Sequence, residues 1–423
     1  MNAWTRLDRA GGGLPLDLAI YVLSAGFAAL TAATSTLTPH RAWGAVAAFG
    51  YGAAALAVAL LWATGRRGLT GRAVVTGLAW VATAWVPMVV QCAERAGGRT
   101  DRAQEEVLVV EDGGIRLLHH GTPYLSTDAI TALPADERLL GYLPYQPGMA
   151  VFGLPRAVAD SAWWTDARIW FALATAAALA VAIGLLRGPE TDPRLLRAVQ
   201  LSTVLPVVAL TMATGGDDIP VLALCLLALA LCARERFGWA GVAAGLAAAL
   251  KLFAWPILVV LLIHALTRRE LRRFAVGALG LPLLALVPPA LVDGRALFDN
   301  VIGFPLGHGV VESPAASPFP GHLIAEALPE GRLIAAGLLG LAGLVIAVLI
   351  VRRPPRTAAA VATISGYGLL AAILLMPSTR FGYLLYPVAL LAWASALRTG
   401  VPPLPAPPDR REAEVGPRAT AYT

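Results

Sequence analysis

Most of the chemistry available to this chain of 423 residues rests on carboxylates and one lysine. Residues 104–112 read Gln-Glu-Glu-Val-Leu-Val-Val-Glu-Asp, which crowds Glu105, Glu106, Glu111 and Asp112 into one stretch. A positioned carboxylate can take the proton of a hydroxyl as that hydroxyl attacks. On a regular helix Glu106 and Glu111, five positions apart, point in different directions, so one site would use one of them. The plainer alternative is a solvated acidic loop. Gly215-Gly216-Asp217-Asp218 supplies two adjacent carboxylates. Glycine suits a helix end and Asp the next N-cap. Capping needs one Asp and leaves the other unexplained, and two adjacent carboxylates facing a cavity could bind a metal or a sugar.

Lys251 is the single lysine among 33 basic residues and lies inside the apolar run AAGLAAALKLFAWPIL. An ionisable group in such a run is a functional candidate by default, and a cation there could hold a phosphate; a snorkelling lysine is the alternative. Arg380, in MPSTRFGYLLYP, could pair with a lipid phosphate or serve as a plain interfacial arginine. Tyr142, Tyr145 and Pro147 suit anchoring at a membrane interface, where tyrosine is favoured. His119, His120, His308 and His322 lack zinc-ligand spacing, and Cys92, Cys225 and Cys232 form no CxxC, so no metal site is expected. His308 and His322 stand out because their loop could fold over a cavity.

The elements that must position these residues are membrane spans. The chain is 57% hydrophobic and 14% charged, where a soluble protein carries about 25% charge. The net charge of +6 does not indicate nucleic acid, because the arginines cluster in short loops between apolar runs and form no stripe. The expected fold is all-α and polytopic. About ten transmembrane helices fall near 17–37, 43–63, 73–92, 167–187, 197–214, 219–233, 274–292, 332–351, 358–376 and 381–398. The first reads as an anchor.

Arg6 and Arg9, the 66–72, 187–197, 234–236 and 352–356 clusters, and the tail arginines fall on one side if the N-terminus is cytoplasmic. Segment 238–266 has arginines at both flanks, so it reads as a re-entrant hairpin with Lys251 near its tip; one tilted span with reversed topology after it is the alternative. Two long loops, 93–166 and 293–331, then lie outside the membrane, with 145–158 on its surface. Residues 1–400 read as one membrane domain, and the Pro-rich 401–423 as a disordered cytoplasmic tail.

The order of several motifs resembles the C-superfamily of membrane glycosyltransferases. It is most similar to the bacterial family 87 type, the polyprenyl-phosphate-mannose-dependent mannosyltransferases and their actinobacterial relatives. An acidic residue precedes Gly121-Thr122-Pro123-Tyr124; then come Tyr142 to Pro147, the hairpin Ala240 to Lys251, and Pro377 to Tyr383. The resemblance implies an outward-facing cavity, a polyprenyl-phosphate sugar as donor, a lipid or glycan acceptor, transfer with inversion, and no cofactor or metal. It places the base at Glu106 or the Glu111–Asp112 pair, and spacing to Gly121 favours Glu106. Val109-Val110 stand where the family has an aromatic, and two or three spans precede the acidic loop where one is usual. Substrate or lipid-phosphate contacts are expected from Asp217, Asp218, Lys251, Arg380, His308, Tyr124 and Tyr145. The expected activity is hexose transfer, mannose by preference, at the outer face of the plasma membrane. A transporter or flippase, or a non-catalytic envelope protein, are the other readings; transporters usually show internal repeats, and none is visible.

Overall fold

A computed structural model describes residues 10–189 and 192–398. The tail 401–423 and the arginines at 6 and 9 lie outside the described residues. Helix dominates: each of the ten apolar runs is helical, because a chain in hydrocarbon must satisfy its backbone groups internally. Among the described residues, seven helices are long and apolar enough to cross a membrane, or eight if one bent pair is a single span. The first three are α1 (Leu14–Thr34), α2 (Thr38–Ala63) and α3 (Leu69–Ala96). An amphipathic helix, α4 (Glu105–His120), follows, and then the fourth span, α5 (Ala167–Leu186). The bent pair is α6 (Asp192–Thr203) and α7 (Pro206–Thr214), at 48°. Next come the shorter helices α8 (Asp218–Ala233), α9 (Phe237–Leu250) and α10 (Ala254–Thr267). Three further long helices are α11 (Leu271–Phe298), α12 (Gly331–Arg352) and α13 (Ala358–Leu375). The last, α14 (Leu385–Ala396), is short. Of the roughly ten expected spans, seven or eight are long and apolar enough by length and composition, and the others are shorter apolar helices.

Two breaks have local causes. Proline lacks an N–H, so Pro87 cannot bond the carbonyl four residues back, and α3 widens into a π-turn at Val81–Trp85. The Trp43 indole donates to that freed Thr83 carbonyl at 2.8 Å. Between α6 and α7, Pro206 pushes Leu205 to an extended conformation. The Tyr51 hydroxyl bonds the Val204 carbonyl there, at 2.5 Å.

The segment 238–266 is a hairpin. Arm α9 ends at Leu250, Lys251 is extended, and α10 returns. Arg268 at the exit pairs with Glu235 at the entry, so both ends share a face. Arm α9 also runs beside the start of α11 in the same direction. A Cβ on Gly241 would sit 2.0 Å from the Phe274 carbonyl oxygen, and one on Gly245 2.1 Å from that of Gly277. Small residues four apart let the backbones touch, as in membrane helix pairs generally.

Further contacts gather basic loops on the face of that entry. The Arg234 Nε donates to the Leu185 carbonyl at 2.6 Å, and His264 Nδ1 lies 3.1 Å from the Pro355 carbonyl oxygen. Arg72 and Arg197, read from sequence as loop charges, are instead buried. Both pair with Asp17, at 2.6 Å each, and Gln200 bonds the Tyr21 hydroxyl beside them. The segment 145–158, expected at the membrane surface, packs into protein over its first part, while Leu154–Ala159 holds no buried residue. Its 3-10 turn Pro147–Gly153 is wedged between α4 and the hairpin tip, with Met149 and Ala150 fully buried.

Candidate active site

Helix α4 carries the acidic stretch and sends its carboxylates two ways. Glu111 is 3% exposed. It takes both guanidinium nitrogens of Arg95 at 2.8 and 2.7 Å, and the Ala167 backbone N–H at 3.1 Å. Arg95 also reaches Asp166, which in turn holds the fully buried Arg168. Burial alone would push the Asp166 carboxyl up; the guanidiniums of Arg168 and Arg95 outweigh it and hold it well below the usual carboxylate range. Arg168 then donates to the Arg102 and Ala213 carbonyls at 2.7 and 3.1 Å. This network fastens α3, α4, α5 and the end of α7. It leaves Glu111 no lone pair for chemistry, and Asp112 points to the exposed surface.

Glu106 faces the other way, paired with Arg380 of the turn between α13 and α14. Their side chains are 13% and 32% exposed, so Glu106 is mostly covered and Arg380 keeps partial access. Its position is fixed from both sides. Gln104, two residues earlier, donates its backbone N–H to the Thr214 carbonyl at 3.0 Å and accepts the Thr214 hydroxyl at 2.8 Å. Arg380 is held by the long loop between α11 and α12. Ser317 N–H bonds the Thr379 carbonyl, and Thr379 N–H that of Ala315, both at 2.9 Å. His322 Nδ1 meets the Pro377 carbonyl, also at 2.9 Å. His322 thus clips loop to turn.

Just after Thr214, Gly216 adopts φ +87, and the chain turns into Asp217 and Asp218. Neither aspartate acts as a side-chain N-cap. Both instead bind Lys251, at 2.6 and 2.7 Å. The Tyr386 hydroxyl donates to Asp218 at 2.7 Å. Lys251 Nζ lies 4.9 Å from the centre of the Tyr145 ring and 5.5 Å from that of Tyr383. Two carboxyl groups share one ammonium in a buried place, sheltered by tyrosines. Snorkelling is excluded, since Lys251 is 6% exposed and fully engaged.

The hairpin tip is seated by the Tyr142–Pro147 element. Gln146 N–H bonds the Leu250 carbonyl at 3.1 Å, which brings Tyr145 over Lys251. The Tyr124 hydroxyl donates to the Tyr145 carbonyl at 2.8 Å, so Tyr124 supports the site from behind. Tyr142 stacks on Phe304 at 4.2 Å and accepts the Val310 N–H. These tyrosines are buried in protein, where an interface anchor had been expected.

Seven expected site residues therefore lie in one connected region: Glu106, Arg380, Asp217, Asp218, Lys251, Tyr145 and, behind it, Tyr124. Arg380 and Tyr383 share a turn and join the Glu106 pair to the lysine cluster. His308 is exposed on its loop and is not among these contacts. Sequence reasoning missed Tyr383 and Tyr386, which look like ordinary aromatics of an apolar run. It also missed Arg168 and Asp166, whose adjacency to an apolar run was the available signal. Chemically, the region offers a mostly covered carboxylate, a partly accessible arginine that can meet an anion, and a buried cation held by two acids.

The family model for glycosyltransferase family 87 matches residues 142–377, more than half of the chain. The match takes in Tyr145, Asp217, Asp218, Lys251 and His308, and ends just short of Arg380. Glu106, Glu111, Asp112 and Tyr124 precede it. No curated protein and no solved structure matches the chain.

Proposed function

The chain belongs to glycosyltransferase family 87 and is a glycosyltransferase, and from that premise we propose that it moves a hexose, mannose by preference, from a polyprenyl-phosphate donor to an envelope lipid or glycan acceptor. The Glu106–Arg380 pair, with Arg380 partly accessible on the loop side, carries the reading. Arg380 takes the donor phosphate. The acceptor hydroxyl attacks the sugar C1 from the face opposite the phosphate. Glu106 removes the hydroxyl proton, the C1–O bond to phosphate breaks, and polyprenyl phosphate leaves with the bonding pair. The sugar inverts. Lys251, clasped by Asp217 and Asp218, holds the hairpin tip against Tyr145, which offers a ring to the sugar. No cofactor is required.

The loop side faces outward and the arginine-rich face lies in the cytoplasm, since basic loops stay inside. The plasma membrane is the expected location. The transporter reading has no comparable support. The test is transfer of radiolabelled mannose from polyprenyl-phosphate mannose to endogenous lipid acceptors by the purified chain. Wild type is expected to transfer, and Glu106→Gln to lose the factor of about 10²–10⁴ that a general base supplies. Wild-type transfer from another polyprenyl-linked hexose alone would replace mannose. Full activity in Glu106→Gln would remove the base assignment.

A further inference from the structure

At the opposite end of the hairpin from Lys251, an apolar groove of about 250 Å³ runs between α5, α8 and α9. Val181, Leu224, Leu231 and Leu246 line it, with Trp239 and Arg236 at its foot. Trp239 is 68% exposed. An indole on the first turn of α9, just after the N-cap Arg236, marks interface depth. From Arg236 to Leu246 the groove follows α9 for about 15 Å at 1.5 Å per residue. That is half of a hydrocarbon core of about 30 Å, the depth of one leaflet. Among the described residues the Arg236 side chain has no partner. Arg234 beside it spends its Nε on the Leu185 carbonyl, leaving its terminal nitrogens without one. The neighbouring Glu235 is taken by Arg268.

We propose that this groove binds an anionic phospholipid of the leaflet that meets the arginine face. One acyl chain lies along α9, and the phosphate sits on Arg236 and Arg234. A zwitterionic headgroup brings its own cation and leaves the two guanidiniums uncompensated, so the site prefers a net negative lipid. The lipid bridges α5, α8 and the entering arm of the hairpin.

The site can be read without any activity assay. The full chain is reconstituted in phosphatidylcholine nanodiscs that contain bromine-chain phosphatidylglycerol or bromine-chain phosphatidylcholine. The Trp239 contribution to fluorescence is the difference between wild type and Trp239→Phe. Brominated phosphatidylglycerol is expected to quench that contribution at a mole fraction lower by on the order of tenfold, as two surface arginines warrant. Arg236→Gln is expected to shrink the preference, and Arg234→Gln/Arg236→Gln to abolish it. Equal quenching by the two lipids in wild type would overturn the proposal, and so would a preference that survives the double substitution.

Discussion

Glu106 and Glu111 share a helix, and their neighbours divide their roles. Glu106→Gln is expected to stop transfer while leaving the melting temperature of the detergent-solubilised protein nearly unchanged. Glu111→Gln is expected to do the reverse. It leaves a buried guanidinium half-paired, at a cost of roughly 3–5 kcal/mol. Thermal unfolding and the transfer assay, run on both variants, separate the two; a stable but inactive Glu111→Gln would move the base. Lys251→Met exposes two buried carboxylates to each other and is expected to cost roughly 3–5 kcal/mol. Adding Asp217→Asn should return part of that stability, because it removes one of the unpaired charges; a double variant less stable than Lys251→Met would argue against the cluster as a charge balance. The acids and Lys251 were legible as candidates because ionisable residues are rare in so apolar a chain. Their pairings were not, since Lys251 finds its acids 33 and 34 residues away and Arg380 finds Glu106 at a separation of 274. Spacing along a sequence says nothing about partners that only tertiary packing brings together.

The element that most depends on backbone closeness is the hairpin. Gly245→Ala would place a methyl 2.1 Å from the Gly277 carbonyl oxygen. Overpacking of that kind costs about 1–3 kcal/mol, and the unfolding midpoint is expected to fall accordingly. Gly280, on α11, has open space around it. There alanine is expected to be neutral or to stabilise by up to about 1 kcal/mol, through helix propensity. Equal effects at the two positions would contradict the close approach of α9 and α11. The hairpin itself was legible from arginines at both flanks, a charge pattern that a single span would violate. Which short apolar helices are full spans was not, because composition marks a helix as apolar without fixing where it ends. The seating of 145–158 was hidden for another reason: an apolar, proline-rich segment suits a lipid interface and a protein crevice equally.

At the scale of the whole molecule, buried ion networks stand at two levels. Asp17, Arg72 and Arg197 lock the first helices to α6, and Arg95, Glu111, Asp166 and Arg168 lock α3, α4 and α5 near the site. The orientation proposed from the basic loops can be measured directly. The three native cysteines are buried, so single cysteines can be added without removing them. A cysteine at Arg269 is expected to react with a membrane-impermeant maleimide only from the cytoplasmic side, and one at Glu137 only from the outer side. The opposite pattern would invert the protein and move the proposed chemistry to the other face.

Lys251 has a use beyond its place in the cluster. With a single lysine in the sequence, buried and clasped by two aspartates, the folded chain presents amine-acylating reagents with little besides its terminal amino group. Any condition that loosens the Asp217–Asp218 clasp turns Lys251 into a reactive amine. The mass of one acyl group added to one peptide then counts how often the site opens, so the protein carries its own covalent clock for that motion.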